Sequence, residues 1–356
     1  LFLTLQNMPG FEFRLAVTGN HLSDKHGFTL NEILSDGIEV SYQMPFSLQR
    51  DDAEYLTKSV ASLGGDFGDL LSRDRPDLLL ILGDRYEIMA PVFAAVMQRI
   101  PIAHIHGGEE TRGAMDNKIR HAVTQLADYH FVATSLAADR IKSMCPDNQN
   151  IYHVGSLSLD RLSKIHLKSR AELENEIGIK IGELAAIVTF HPETLSHVTP
   201  EVQVDELISA LRDFPDLYSV ITSPNADAGF GVVSERLRAF ANESPKKIFC
   251  ENLGHINYLS CLANFDLLVG NSSSGIIEAP FFGIPSVDIG ERQAGREKAK
   301  TVISVPCKGE AIANGISKAL ETGRFSGCSA FDFPYGKLGA TDEICGILGK
   351  IAKKNQ

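Results

Sequence analysis

Leu78-Leu79-Leu80-Ile81-Leu82-Gly83-Asp84-Arg85 decides the fold. Five aliphatic residues in a row are too few for a helix and match a strand buried on both faces. Gly83 ends the run, and two charged residues follow at once. The segment before it, Ala53–Leu71, has helical amphipathicity, with Pro76 as a stop. The segment after it, Glu87–Arg99, reads as another helix. Pro101–Ile105 is the next apolar run, and it too ends in polar residues, His106-Gly107-Gly108-Glu109. Strand, helix and strand in this order form a βαβ unit, which implies a parallel sheet.

The same alternation continues outward. Leu15–Thr18 reads as a strand running into Gly19. Asp116–Ala127 and Ser135–Met144 read as helices, and Tyr129–Ala133 and Ile151–Val154 as strands. His166–Lys180 is polar, lacks apolar periodicity and reads as a linker. Beyond it the pattern restarts. Strands are expected at Ala186–Phe190, Tyr218–Thr222, Leu267–Gly270 and Ile284–Asp288. Helices are expected at Val202–Phe214, Val232–Ala241, Ser273–Phe282, Ala311–Glu321 and Thr341–Lys353. The fold class is α/β, with two doubly wound units joined near residue 165. In such sheets ligands bind beyond the carboxyl ends of the strands.

Composition narrows the function. Of 356 residues, 44% are hydrophobic and 22% charged, enough for packed cores. Asp plus Glu (45) exceed Lys plus Arg (34), for a net charge of −11, which argues against nucleic acid as a partner. None of the six cysteines forms a C-x-x-C pair, so they read as reduced thiols of a cytoplasmic protein. The longest apolar runs have strand length and cannot span a membrane.

Several strand ends carry chemistry. Gly270-Asn271-Ser272-Ser273-Ser274-Gly275, with Glu278 a turn later, joins a strand to a helix. Small residues let backbone N–H groups reach a phosphate or diphosphate, and serine hydroxyls add donors. A serine-rich helix cap without a ligand gives the same pattern. Arg292-Gln293, one βα unit later, can clamp a phosphate or form a solvated basic turn. At Gly83-Asp84-Arg85-Tyr86-Glu87, Asp84 is either an acid/base or hydroxyl-binding carboxylate beside Arg85, or the cap of the next helix. His104 and His106 would share one strand face. Without a cysteine or an H-E-x-x-H pattern, His106 and Glu109 fit a polar sugar pocket better than a metal site. Asp116 and Arg120 stand at helical i, i+4 spacing and could pair on the surface, with His121 following. Titratable groups at positions 84, 106, 109, 116 and 121 converge on neighbouring strand ends, which favours function over structure alone. His191, held extended by Pro192, ends a strand of the second unit. Asn225 and Asp227 end another and could be plain turn residues.

Together these segments resemble the hydrolysing UDP-N-acetylglucosamine 2-epimerases of sialic-acid biosynthesis, within the wider UDP-sugar 2-epimerase family. The resemblance rests on Gly83-Asp84-Arg85, His106-Gly107-Gly108-Glu109, Ile119-Arg120-His121, His191-Pro192 and Pro224-Asn225 with Asp227-Ala228-Gly229. Gly270–Gly275 with Glu278, Gly290-Glu291-Arg292-Gln293, and Val17-Thr18-Gly19 with His21-Leu22 and Gly27 complete it. It runs from about Arg14 to about Lys300, in order and with matching spacing.

The resemblance implies two Rossmann-like domains facing a cleft, as in GT-B glycosyltransferases. They would span residues 1–165 and 166–335, with a C-terminal helix at 336–356 packing back on the first. It implies a UDP-sugar substrate, no cofactor, no metal and homo-oligomers. The implied reaction converts UDP-N-acetylglucosamine and water to UDP and N-acetylmannosamine, by anti elimination to a 2-acetamidoglucal and then water addition. By the same resemblance, Asp84, Glu109, Asp116 and His191 are the acid/base residues. Ser272, Ser273, Arg292 and Asn225 would hold the uridine diphosphate, Glu278 the ribose, and Arg85 would lie near the phosphates, with His106 and His121 lining the substrate site.

Two features depart from the family. Some relatives carry an acidic residue at His106. The family also opens with a strand and a Gly-Thr-Arg-Ala-like loop, whereas this chain begins Leu1-Phe2-Leu3-Thr4-Leu5 and matches nothing of it through Asn20. The expectation is either a chain truncated at its front or an N-terminal domain lacking its first strand. Three alternatives share the motifs: the same reaction on a 2,4-diacetamido-trideoxy nucleotide sugar of the legionaminic acid pathway, a GT-B-like glycosyltransferase, and an inactive nucleotide-sugar binder.

Overall fold

The structure is a computed structural model. It describes residues 1–23, 28–46, 52–112, 115–162, 165–178, 180–224, 229–325 and 333–354. The described strands are β1 (Ala16–Thr18), β2 (Tyr42–Met44), β3 (Leu79–Leu82), β4 (Ile102–Ile105), β5 (Tyr129–Val132) and β6 (Ile151–His153). They continue as β7 (Ala185–Thr189), β8 (Tyr218–Thr222), β9 (Lys247–Cys250), β10 (Leu267–Gly270), β11 (Ser286–Ile289) and β12 (Val302–Val305). Every pairing between them is parallel. The chain divides into two compact units. One contains Leu1–Glu109, Asp116–Asp160 and Lys337–Gln356, and the other Glu110–Met115 and Arg161–Gly336.

In the first unit β3-β4-β5-β6 form a four-stranded sheet, and β1-β2 a separate two-stranded one. Side-chain alternation along β4 sends Ile102 to one face and Ala103 and Ile105 to the other. Ile102 joins Leu63, Phe67 and Leu70 of the helix Ala53–Arg73 and Val92 of the helix Met89–Met97. Ala103 and Ile105 pack with Phe131 against Ala340, Ile344 and Leu348 of the C-terminal helix Ala340–Lys354. Each large apolar side chain fully buried this way stabilises the fold by roughly 1.5–3 kcal/mol.

The second unit has the strand order β9-β8-β7-β10-β11-β12. This is the doubly wound order whose direction reverses between β7 and β10, the switch point where ligands bind in such sheets. Val188, Val269 and Val287 meet Leu207, Leu237 and Ile312 of three helices on one face. The two edge strands, β9 and β12, are only half-buried, so their short segments carry no continuous apolar run. That is why sequence patterning does not reveal them.

The expected linker is in part a helix, Arg170–Ile177. Its signal is local rather than periodic. Ser169 and Glu172 form a reciprocal capping box, and Gly178 closes the other end with a φ of 72°. The Lys168 N–H donates to Ser260 Oγ at 2.9 Å, and Asn264 Nδ2 donates to the Lys168 carbonyl at 3.0 Å. The expected helix Ser273–Phe282 is also different. It is a four-residue helix, Ser274–Ile277, followed by a 3-10 turn, Ala279–Phe282. Pro280 has no N–H for an α-helical bond and clashes with the preceding turn.

Candidate active site

The first unit places its polar groups at the ends of the adjacent strands β3 and β4. Arg120, on the helix Asp116–Leu126, is 1% exposed and pairs with the Asp84 carboxylate. Its Nη1 also donates to the Glu109 carbonyl at 3.0 Å. Arg120 is therefore buried rather than on the surface; a buried guanidinium needs a carboxylate partner, and Asp84 supplies one. Nor does Asp84 cap the next helix. That turn begins at Tyr86 with Arg85 in the capping position and no side-chain cap bond. Arg85 Nε donates to the buried Glu87 at 3.3 Å, and its guanidinium lies 5.1 Å from the Tyr86 ring centroid.

Glu109, itself 3% exposed, meets His106 Nδ1 at 2.8 Å. His106 and His104 do not share a strand face, because β4 ends at Ile105 and His106 adopts a φ of 62°. That left-handed backbone is costly for a side chain and survives only where its surroundings fix it. Here Gly108 follows with a φ of 74°, and an added Cβ would lie 2.6 Å from the Ala137 carbonyl. Arg140 donates to the Gly108 carbonyl and Thr124 Oγ1 accepts from its N–H at 3.4 Å. His104 is fully buried, with Nε2 at 2.8 Å from the Gly83 carbonyl and Nδ1 at 3.3 Å from Thr124 Oγ1. Burial lowers its pKa to about 4, so the ring is neutral. Asp116 opens the helix that carries Arg120 and His121, and both Asp116 and His121 are half-buried.

The second unit gathers its groups at the switch point. His191 follows β7, the serine loop follows β10, and Arg292 follows β11. Asn271 Oδ1 accepts from the His191 N–H at 2.7 Å, and Asn271 Nδ2 donates to the His191 carbonyl at 2.8 Å. The Asn271 carbonyl accepts from Gln293 Nε2 at 2.9 Å and from Arg292 Nη1 at 3.4 Å. Glu193 Oε1 accepts from the backbone N–H groups of Glu291 at 2.6 Å and Arg292 at 3.1 Å. Burial raises the Glu193 pKa, and those two N–H bonds work against the rise.

Within the serine loop, Ser272 Oγ accepts from the Ser274 N–H at 3.3 Å. Ser272 and Ser273 are half-buried, and Glu278 ends the short helix. The Tyr258 hydroxyl is buried among Thr189, Ser272 and Ser274, and burial pushes its pKa up to about 12. Asn225 and Asp227 lie outside the described residues.

Sequence reading thus finds the strand-end residues but misses those that connect them, Arg120 as a buried partner, Asn271, Glu193 and Gln293, and the Tyr258 hydroxyl buried behind the serine loop. Asn271 had a visible signal, a polar residue directly after a strand in a loop of small residues. Glu193 and Tyr258 had none, because their role depends on which strands become neighbours.

The sequence model of the UDP-N-acetylglucosamine 2-epimerase family matches residues 3–349. The chain belongs to that family. Over 99% of its length, this epimerase-family chain is 32% identical to the polysialic acid biosynthesis protein P7 of Escherichia coli, covering 90% of that protein. Over 89% of its length it is 31% identical to the hydrolyzing GDP/UDP-N,N'-diacetylbacillosamine 2-epimerase of Campylobacter jejuni, covering 81% of it. Among solved structures, it superimposes on the Neisseria meningitidis UDP-GlcNAc 2-epimerase bound to UDP-GlcNAc with a TM-score of 0.79. That match covers 98% of this chain and 95% of the other at 18% identity, and so speaks to the fold.

Proposed function

We propose that this chain is a hydrolysing 2-epimerase that converts UDP-N-acetylglucosamine and water to UDP and N-acetylmannosamine. The observation that carries the reading is the first unit's carboxylate set. Asp84 and the Glu109 backbone share one buried guanidinium, and the Glu109 carboxylate sits on His106. A nucleotide binder without chemistry would not need titratable groups oriented so closely.

In the proposed reaction a base removes the proton at carbon 2 while the anomeric C–O bond breaks and UDP departs with the electron pair. The resulting 2-acetamidoglucal then takes hydroxide at carbon 1 and a proton at carbon 2 from the opposite face. Asp84, Glu109, Asp116 and His191 are the acid/base set, and such proton transfers contribute about 10²–10⁴-fold each. Ser272, Ser273 and Arg292, with Asn225, hold the diphosphate, whose developing charge needs preorganised donors. Glu278 takes the ribose hydroxyls, Arg85 lies near the phosphates, and His106 and His121 line the sugar site. The names of the Campylobacter jejuni and Legionella pneumophila relatives, both hydrolyzing 2-epimerases, support the hydrolytic branch.

Incubation with UDP-N-acetylglucosamine in deuterated water tests the reading. The expected result is UDP release with deuterium at carbon 2 of N-acetylmannosamine. Binding without turnover would refute it and leave a nucleotide-sugar binder, and transfer of the sugar to an acceptor would identify a glycosyltransferase. Glu109→Gln should lower turnover by about 100-fold or more while holding UDP affinity within about threefold.

A second substrate also has specific support. The same two relatives are named for UDP-N,N'-diacetylbacillosamine, so kcat/KM measured on both nucleotide sugars decides between them. The exposed Phe93, Met97 and Leu126 on neighbouring helices support homo-oligomeric assembly, which light scattering would read directly.

A further inference from the structure

We propose that Asn271 is the positioning residue that sets the side-chain direction of His191. The inference rests on the acid/base role given to His191 above.

Asn271 is 0% exposed and stands one residue beyond β10, at the reversal point of the sheet. Its amide grips both backbone groups of His191, accepting from the N–H at 2.7 Å and donating to the carbonyl at 2.8 Å. Among neutral side chains only a carboxamide of this length offers an acceptor and a donor side by side. The grip continues the β7–β10 ladder by one step beyond its last backbone rung, the Asn271 N–H to the Thr189 carbonyl at 3.1 Å. Pro192 has no N–H and holds His191 extended. With both of its own polar groups clamped, His191 has little backbone freedom left, so its Cα–Cβ bond leaves the strand end in one direction.

Gly270 makes the approach possible. Its φ is 146°, and an added Cβ would lie 1.8 Å from the Thr189 carbonyl. No other residue lets β10 come this close to β7, and without that closeness the Asn271 amide cannot reach His191.

The clamp is separable from nucleotide binding. Gln293 and Arg292 bond to the backbone carbonyl of Asn271, not to its side chain. Glu193 holds the Arg292 loop independently. Removing the amide therefore takes this clamp off the His191 backbone and leaves the anchors of the Arg292 loop in place.

The test uses the full chain as wild type, Asn271→Ser and Asn271→Ala. Three readouts are needed: UDP affinity by calorimetry, turnover, and the imidazole NMR signals of ¹⁵N-histidine protein, with His191 assigned by its loss in His191→Gln. We expect UDP affinity within about threefold of wild type, turnover lower by about 10- to 100-fold, and a displaced or broadened His191 signal among otherwise unchanged histidines. A general scaffold role would instead lower UDP affinity in step with turnover. An unchanged His191 signal in a folded Asn271→Ser protein would likewise overturn the proposal. Asn271→Ser keeps a polar group and is the variant on which the decision rests if Asn271→Ala does not fold. If the wild type has no epimerase activity, the functional reading fails by itself, while the NMR signal still decides whether Asn271 positions His191.

Discussion

The two units organise their strand ends by opposite means. The first uses formal charge: the Asp84 carboxylate on the buried Arg120, the Glu109 carboxylate on His106, and a buried neutral histidine behind them. The second relies mainly on backbone and amide groups: Asn271 on His191, Gln293 on Asn271, Thr189 on Thr222 at 2.9 Å, and Glu193 on two backbone N–H groups. Ion pairs inside a protein are sensitive to proton number, whereas amide and hydroxyl networks keep their shape across pH. The contrast fits proton transfer centred on the first unit and capture of an anion of fixed charge in the second, with His191 on its Asn271 clamp as the second unit's contribution to the acid/base set. Predictions that strike one network and spare the other test it.

The largest effect is expected at Gly270. In Gly270→Ala the new Cβ would overlap the Thr189 carbonyl, in a backbone region closed to other residues. The β7–β10 junction must part, costing about 3 kcal/mol or more and abolishing UDP binding. Thermal melting and calorimetry with UDP check both outcomes. Arg120→Met should cost somewhat less. It removes the Arg120 donor from the Glu109 carbonyl and the Arg120 cation from Asp84, although Asp84, 25% exposed at its side chain, can recover some hydration. We expect about 2–3 kcal/mol in urea unfolding, loss of turnover, and UDP affinity close to wild type. A parallel loss of UDP affinity would show that the two networks are not separate.

Acid should act on the first unit before the second. Burial lowers the pKa of both His104 and His130 to about 4, from an ordinary value of 6.5. Between about pH 6.5 and pH 4 the unfolded chain therefore binds more protons than the folded one. Stability is full above this window and falls as pH drops through it, by up to a few kcal/mol for the two rings together. Glu193 has the opposite sign: its raised pKa lets the folded second unit hold a proton that the unfolded chain has released. Hydrogen exchange at pH 7 and pH 5 should show faster opening of β4 and β5 at the lower pH, with β7 and β10 little changed.

Legibility in the sequence follows the same division between local and non-local information. The strand Leu79–Leu82 and the polar ends of the strands before Glu109 and Asn271 are written as contiguous residues, so patterning finds them. Edge strands β9 and β12 are half-buried, and the helix Arg170–Ile177 is announced by a capping box rather than by apolar spacing. At the site, residue types at strand ends are legible because chemistry restricts them. Their partners are not. Asp84 and Arg120 are 36 positions apart by number, and nothing in either segment says that a guanidinium will be buried against that carboxylate. The same holds for Glu193 and the Glu291–Arg292 backbone, which meet only because the strand order β7-β10-β11 brings their loops together.

The smallest predicted effect makes the finest cut between the networks. Ser272 Oγ accepts from the Ser274 N–H at 3.3 Å, a turn bond that satisfies one N–H of the short helix's first turn much as a cap would, although Ser273 holds the cap position, and by the proposed function the same hydroxyl faces diphosphate. A cap alone is worth about 1 kcal/mol of stability and has no bearing on ligand affinity. A donor to phosphate is worth about 1.5–3 kcal/mol of binding, because its partner is charged. Ser272→Ala should therefore weaken UDP binding by roughly tenfold or more while lowering unfolding stability by no more than about 1 kcal/mol. Uridine, which lacks the diphosphate, should bind wild type and variant equally. A stability loss with unchanged UDP affinity would make Ser272 a cap and nothing else. The charge-sensitive steps of the first unit would still stand, but the anion site of the second would have to be built from Ser273, Arg292 and backbone N–H groups alone.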